Sequence, residues 1–266
     1  MDRYVVVGNP IEHSLSPDIH RAFAQQTGQT LEYAKLFAPR GEFAPTLDAF
    51  FDAGGCGANV TLPFKAEAHA WVDRLDVSAE MSGAVNTIAR DGDATIGHNT
   101  DGLGLLADLD AHGVDLVGRR LLLLGAGGAS RGILGPLLAA GVRNVVVANR
   151  TVARAETLVA ELASGVVSAC SLRTVAGPFD IVINSTSAGL AGEGELIAPE
   201  AVQGALCYDL SYARGEATPF CAWANAAGAR EAVDGLGMLV EQAAYAFAIW
   251  RGVSPDARTV LAALRS

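Results

Sequence analysis

Of the 19 basic side chains in this 266-residue chain, all but Lys35 and Lys65 are arginines. An arginine stays charged, while a lysine can trade a proton when its surroundings tune it. A lysine kept where arginine is the default cation is therefore a candidate acid–base group. Lys65 closes the stretch Gly57-Ala58-Asn59-Val60-Thr61-Leu62-Pro63-Phe64-Lys65, a strand-to-helix exit dense in polar groups. Asn59 and Thr61 are two residues apart and share one side of an extended chain. Lys35 has the same rarity but no such company and reads as an ordinary surface lysine. A second exit, Asn9 to Pro17, carries Ser14 and Ser16, again two apart. Two hydroxyls beside a helix N-terminus could hold a carboxylate. Ser16 before Pro17 is also a good N-cap and N1 pair, a reading that accounts for Ser16 and leaves Ser14 free. Asn86-Thr87 and His98-Asn99-Thr100-Asp101-Gly102 complete the set, although Asp101 taken alone reads first as the N-cap of a helix from Leu103. Four polar strand exits suit a small polyhydroxylated anion. The five histidines lack metal-ligand spacing, so no catalytic metal is expected.

A different chemistry is written at Gly125-Ala126-Gly127-Gly128-Ala129-Ser130, directly after the four-leucine run Leu121 to Leu124. Glycines between a strand and a helix let the backbone approach a pyrophosphate, and the helix start offers unpaired N–H groups. The alternative is a tight turn without a ligand. Ser130 stands where the pattern calls for a third glycine. About 20 residues on, where an NAD-binding unit places a carboxylate, stand Asn149, Arg150, Thr151 and, one turn later, Arg154. Two arginines on one helix face could clamp a 2′-phosphate that a carboxylate would repel. NADP is the expected cofactor. The competing reading is a solvated face with the arginines paired to Glu156 or Glu161.

The elements that must position these groups alternate as short apolar runs and helical patterns, the mark of a parallel sheet covered on both faces. Strands are expected at Tyr4 to Gly8, Leu31 to Leu36 and Gly57 to Val60, with helices at Pro17 to Gln26 and Phe43 to Ala53. A hairpin of Val85 to Ala89 and Thr95 to His98 turns at Asp91-Gly92. Beyond Arg120 come strands at Leu121 to Leu124, Asn144 to Ala148, Ile181 to Asn184 and Leu206 to Asp209, with helices to Ala140 and from Thr151. The end of the chain is helical, Leu239 to Trp250 and Pro255 to Leu264, and would return to pack on the first domain. The fold class is α/β in two domains: residues 1–101 with 238–266, and a Rossmann-like doubly wound domain over 102–237. At 50% hydrophobic and 18% charged the chain can bury a large core. A net charge of −10 excludes a broadly basic nucleic-acid binder. No apolar run reaches the ~18 residues of a membrane span, and no signal peptide is evident. Cys56, Cys170, Cys207 and Cys221 read as buried free thiols of a cytoplasmic protein.

The chain resembles the shikimate dehydrogenase family at NPIEHSLSP from Asn9, GANVTLPFK from Gly57, GAVNT from Gly83, NTDGLG from Asn99, GAGGASRG from Gly125, NRT from Asn149, INSTSAGL from Ile183 and DGLGMLVEQAAYAF from Asp234. The resemblance implies NADPH-dependent, reversible reduction of 3-dehydroshikimate to shikimate, in the biosynthesis of chorismate and the aromatic amino acids. It implies that Ser14 and Ser16 hold the substrate carboxylate and that Asn59, Thr61, Asn86 and Gln242 bind ring hydroxyls or neighbouring groups. Lys65 and Asp101 would be the catalytic pair, and Tyr212 would reach the substrate. Gly125, Ala126, Gly127, Gly128 and Ala129 would cradle the pyrophosphate, Asn149, Arg150, Thr151 and Arg154 the adenosine 2′-phosphate. Thr186, Leu210, Gly235 and Met238 would lie near the nicotinamide. The segment from Ala213 to Ala217 departs from the family pattern.

The chemistry also stands without the resemblance. Reducing a ketone needs a hydride on carbon and a proton on the developing alkoxide. Lys65 can donate that proton, and Asp101 would orient it. Two other readings share these motifs: an NAD-dependent quinate/shikimate dehydrogenase, and a nonenzymatic dinucleotide sensor. Ser14 with Ser16 and the Asn149-Arg150-Thr151 segment favour shikimate and NADP over the first. The presence of Lys65, Asp101 and Gln242, which a sensor could lose, disfavours the second. The expected partner is a small molecule, with a monomer or homodimer as the assembly.

Overall fold

The computed structural model describes residues 1–186, 197–213 and 215–266. The chain divides into two compact units, one of Met1–Asp108 with Leu239–Leu264 and Ser266, the other of Leu109–Met238 with Arg265.

The first unit opens with β1 (Asp2–Gly8), α1 (Ser16–Thr27), β2 (Leu31–Phe37), α2 (Phe43–Asp52) and β3 (Gly57–Val60). It continues through α3 (Lys65–Trp71), β4 (Arg74–Leu75), α4 (Val77–Ser82), β5 (Thr87–Asp91), β6 (Ala94–His98) and α5 (Asp101–Ala111). The six strands lie in the order β2-β1-β3-β5-β6-β4. β1 runs parallel to β2 and β3, and β5 runs antiparallel to β3 and β6. The sheet is therefore mixed, because the Gly92 turn (φ +62°) folds β6 straight back on β5. The first strand of the hairpin sits two residues later than its apolar pattern suggests, which leaves Val85 and Asn86 ahead of β5, while the second starts one residue early and ends at His98 as expected. Phe43, Leu47 and Phe51 recur every four residues on α2 and bury one helical stripe against Val5, Val7, Val60 and Phe64. Each such burial contributes about 1.5–3 kcal/mol.

The second unit contains β7 (Arg120–Leu124), α6 (Gly128–Ala139), β8 (Asn144–Asn149), α7 (Val152–Leu162), β9 (Val167–Ser171) and β10 (Ile181–Asn184). It is completed by β11 (Leu206–Asp209), α8 (Pro219–Ala226) and β12 (Glu231–Asp234). The chain ends in α9 (Leu236–Arg251) and α10 (Ala257–Arg265). The sheet order is β12-β11-β10-β7-β8-β9 with every pair parallel. Counted from β7 this is 6-5-4-1-2-3, the doubly wound Rossmann order, and its direction reverses between β7 and β10. All four leucines of β7 are fully buried, as a central strand covered on both faces requires.

The sequence reading missed β4, β9, β12, α3, α4 and α8. All six are two- to eight-residue pieces, too short to show a period. Two cap assignments are also corrected. Helix α1 starts at Ser16 itself, because Leu15 already adopts φ −87°, ψ −8°, and no side chain caps it. Helix α5 starts at Asp101 rather than Leu103. Cys207 and Cys221 are buried, but Cys56 and Cys170 are only half-buried, since each lies near the end or edge of its sheet rather than in the core; all four are free. No helix among the described residues is long and apolar enough to cross a membrane.

Candidate active site

In the first unit the chemistry gathers at the ends of β3 and β6. Lys65 is the first residue of α3, and its Nζ donates to Asp101 Oδ2 at 2.5 Å. The two side chains are only 14% and 7% exposed, so Lys65 is not the solvated surface lysine that its helix-start position allows. Asp101 Oδ1 accepts from Asn86 Nδ2 at 2.7 Å, and the Asp101 backbone N–H donates to Asn99 Oδ1 at 3.1 Å. Its carboxylate therefore faces Lys65 and Asn86 rather than capping a helix. Asn86 is 2% exposed, and its Oδ1 accepts from Thr87 Oγ1 and the Thr100 N–H, both at 2.9 Å. Gln242 Oε1 completes the cluster at 3.3 Å from Asn86 Nδ2. Gln242 comes from α9, and Gly104 on α5 makes the approach possible. A Cβ at Gly104 would lie 2.7 Å from both the Gln242 Cβ and backbone N.

Asn59, on β3, donates through Nδ2 to Thr87 Oγ1 at 3.1 Å and to the Asn86 carbonyl at 3.3 Å. Its Oδ1 accepts from the Tyr33 hydroxyl at 2.7 Å. Thr61 follows on the loop, partly exposed, with its N–H donating to the Val7 carbonyl at 3.0 Å. Ser14 Oγ lies 3.2 Å from Ser16 Oγ, and Ser16 is 6% exposed. Lys35 is an exposed surface lysine, as expected, but it has a tie that its rarity does not announce. Its Nζ donates to the Glu12 carbonyl at 2.5 Å, so it ties β2 to the loop that carries both serines. No sequence pattern marks that bond, because it joins a strand to a backbone atom 23 residues away.

In the second unit, Gly125 adopts φ +107°, and a Cβ there would meet Ser185 Oγ at 2.4 Å. Ser185 Oγ also bonds Ser130 Oγ at 2.7 Å and donates to the Leu124 carbonyl. Ser130 thus joins the loop to the end of β10 at the switch point, where a glycine would leave the contact unmade. Helix α6 begins at Gly128 without a side-chain cap, and a Cβ on Gly127 would meet nothing within 4 Å. This bare helix start, with Ala126 and Ala129 part-exposed beside it, fits a dinucleotide pyrophosphate. Asn149 Nδ2 donates to the Thr151 carbonyl at 2.8 Å, which folds the end of β8 over the start of α7. Arg150 and Arg154 are exposed, as the 2′-phosphate of NADP requires. Glu161, a candidate partner for them in the sequence, instead pairs with Arg131, which holds its carboxyl below the usual range.

At the ends of β10 and β11, Asn184 Oδ1 accepts from the Thr186 N–H and Oγ1. Asn184 Nδ2 donates to Asp209 Oδ1 at 3.0 Å, and Thr218 Oγ1 donates to Asp209 Oδ2 at 2.7 Å. Burial pushes the Asp209 carboxyl above its usual range, against these hydrogen bonds. Sequence reasoning missed Asp209, whose carboxylate meets the Asn184 side chain only because β10 pairs with β11 in the fold. The Leu210 N–H donates to the Asn184 carbonyl, the Gly235 N–H to the Ser211 carbonyl, and the buried Met238 N–H to the Tyr208 hydroxyl. The four expected nicotinamide neighbours Thr186, Leu210, Gly235 and Met238 thus sit at or just beyond the ends of β10, β11 and β12, and Tyr212 follows β11, half-buried. Residues 187–190 of the motif from Ile183, and Arg214 in the departing segment, lie outside the described residues.

Comparison with known proteins bears on both units. The family model for the shikimate dehydrogenase substrate binding domain matches residues 6–88, and that for shikimate / quinate 5-dehydrogenase matches residues 107–206. The model for the shikimate 5'-dehydrogenase C-terminal domain matches residues 235–265. The chain belongs to the shikimate dehydrogenase family. Among its relatives, the shikimate dehydrogenase (NADP(+)) of Alkalilimnicola ehrlichii is 55% identical over 99% of this chain and 98% of that relative. That of Aeromonas hydrophila is 54% identical over 100% and 98%. The solved shikimate 5-dehydrogenase of Thermus thermophilus, in complex with NADP(H) and shikimate, superposes with a TM-score of 0.87 at 35% identity, covering 100% of this chain and 99% of that one. The family's two-part organisation, substrate binding followed by dinucleotide binding, matches the two sheets described above.

Proposed function

We infer that this protein is an oxidoreductase acting on a CH–OH group, which reversibly reduces 3-dehydroshikimate to shikimate with NADPH. The observation that carries this reading is the Lys65–Asp101 pair, held at 2.5 Å within a buried amide and hydroxyl network. Relatives named for this activity align over nearly the whole chain.

Residues 1–101 with 238–266 bind substrate and move the proton, and residues 102–237 bind NADP. The Ser14 and Ser16 hydroxyls donate to the substrate carboxylate. Asn59, Thr61, Asn86 and Gln242 read the ring hydroxyls, and Tyr212 adds a further contact. Lys65 Nζ gives its proton to the forming alkoxide and takes one back in the reverse direction, while Asp101 Oδ2 fixes the direction in which Nζ points. NADPH supplies the hydride when bound. Gly125 to Ala129 hold its pyrophosphate, and Asn149, Arg150, Thr151 and Arg154 its 2′-phosphate. Thr186, Leu210, Gly235 and Met238 line its nicotinamide. Four free thiols suit the reducing cytoplasm, and a monomer or homodimer is the assembly proposed.

The test is a set of initial rates with shikimate and quinate, each with NADP and NAD. A preference for shikimate with NADP is expected. A preference for quinate with NAD overturns the reading in favour of a catabolic quinate/shikimate dehydrogenase, and no turnover with any pair favours a nonenzymatic sensor.

A further inference from the structure

Behind the proposed substrate-binding side chains lies a residue that neither touches the substrate nor moves its proton. Tyr33, on β2, stacks flat on His20 from α1, with ring centroids 4.2 Å apart and planes 8° apart. His20 is fully buried and also meets Phe23, Phe247 and Trp250. The stack aims the Tyr33 hydroxyl at Asn59 Oδ1, 2.7 Å away, and the same phenol interacts with the Ser16 hydroxyl. One hydroxyl thus bonds the strand that carries Asn59 and lies close enough to the Ser16 hydroxyl to interact with the loop that carries Ser14 and Ser16.

The direction of the bonds can be read from chemistry. The Asn86 carbonyl only accepts, so Asn59 must turn Nδ2 toward it and Oδ1 toward Tyr33. Tyr33 must then spend its single proton on Asn59. Burial pushes the phenol well above its usual range, so that proton is present throughout the neutral pH range. With its proton committed, the phenol oxygen can only accept from Ser16 while substrate is absent, and on binding that Ser16 proton turns to the substrate carboxylate. Without the phenol, Asn59 loses the donor that holds its amide, and Ser16 loses a neighbour on the side away from Ser14.

We propose that Tyr33 is a positioning residue for the substrate, its hydroxyl locking Asn59 and Ser16 together so that the carboxylate and the ring hydroxyls are read in one register. The inference rests on the substrate assignment of Asn59 and Ser16 given above. It makes Tyr33 matter for substrate and not for dinucleotide, because its hydroxyl contacts run only to substrate-reading side chains.

The test is Tyr33→Phe, which keeps the ring and the stack on His20 and removes only the hydroxyl. One neutral hydrogen bond sets the scale, so KM for shikimate should rise about three- to tenfold. The change in kcat should stay within about twofold, KM for NADP should not move, and the melting temperature should stay close to that of the wild type. A shikimate analogue lacking the ring hydroxyl read by Asn59 provides a second readout. The difference between the wild type and Tyr33→Phe should be smaller for it than for shikimate, because only the contribution through Ser16 and the carboxylate remains to be lost. An unchanged KM for shikimate overturns the proposal. So does an equal rise in both KM values with a clear drop in melting temperature, which would make Tyr33 a packing residue. Absence of shikimate turnover in the wild type would instead sink the proposed function, so the two failures are distinguishable.

Discussion

Replacing Asp101 by Asn probes the proposed catalytic pair most sharply, because the structure gives the new amide no acceptable orientation. Asp101 Oδ2 faces an ammonium, which can only donate, and Oδ1 faces Asn86 Nδ2, which can also only donate. Either orientation of the substituted amide puts a donor against a donor. The loss includes one charge-assisted hydrogen bond, about 1.5–3 kcal/mol. To it is added the penalty of leaving the Lys65 ammonium, 14% exposed, without its counter-charge. Breaking a buried pair on one side costs about 3–5 kcal/mol, and residual exposure places the expected destabilisation near ~3 kcal/mol. Lys65→Met in the same background removes the stranded charge, so the double variant should recover ~2 kcal/mol relative to the sum of the single changes. Urea unfolding of the full chain measures the cycle, and kcat for shikimate oxidation is followed alongside. Each single variant should lose at least about 10²-fold in kcat, and the double variant should be little worse than either, as groups acting as one unit behave. Additive stabilities within ~0.5 kcal/mol, or rate losses that multiply, would refute the claim that the two side chains work as a desolvated pair.

Lys65→Arg keeps the charge beside Asp101, so substrate KM should change little while kcat falls by at least about 10²-fold, because an arginine does not release its proton. Near-normal turnover would exclude Lys65 as the proton carrier. Arg154→Ala should raise KM for NADP about tenfold and leave KM for NAD unchanged, and the same substitution at Arg150 should move the ratio in the same direction; steady-state rates with the two cofactors decide it. His20→Phe tests the buried imidazole, which makes no well-formed hydrogen bond among the described residues and has the Asn59 side chain as a weak polar neighbour that only partly offsets burial. Burial pushes its pKa down from 6.5 to about 3. Below pH 6.5 the unfolded chain therefore takes up a proton that the folded chain refuses, and wild-type stability falls with pH at up to about 1.4 kcal/mol per unit until about pH 3. The variant should be at least as stable at pH 7 and lose stability less steeply toward pH 4. Parallel stability profiles for the two proteins would count against a His20 held neutral by burial.

Much of the fold was legible because its signals are local. Leu121 to Leu124 followed by Gly125 and Gly127 announces a buried strand, a tight turn and an uncapped helix start within one short stretch of chain. The same is true of Phe43, Leu47 and Phe51, whose spacing alone makes one helical stripe. The two-residue β4 and the six-residue α4 carry too few residues to show a period, and they form because neighbours hold them. The antiparallel placement of β5 next to β3 depends on which strand edge was available and leaves no mark in the apolar pattern. Ser16 shows how local logic misleads. Serine before proline suits an N-cap, yet the backbone turned one residue earlier and left the hydroxyl to Ser14 and Tyr33.

The sequence by itself determined the family, the two-part α/β organisation and the types of group that could do the chemistry, because each rests on residues close together in the chain. Only the tertiary structure decided which groups meet. Lys65 and Asp101 are 36 residues apart, and Asn86 and Gln242 are 156 apart. Their contact depends on strand order and on the close crossing of α5 and α9 at Gly104. The same is true of Lys35 and Tyr33. In sequence they are an isolated cation and an aromatic on an edge strand. In the fold, β2 pairs with β1, and that pairing brings one to the serine loop and the other to Asn59. Hydrogen bonds and ion pairs act over about 3 Å, and separation along the chain carries no information at that range until the backbone has closed the distance.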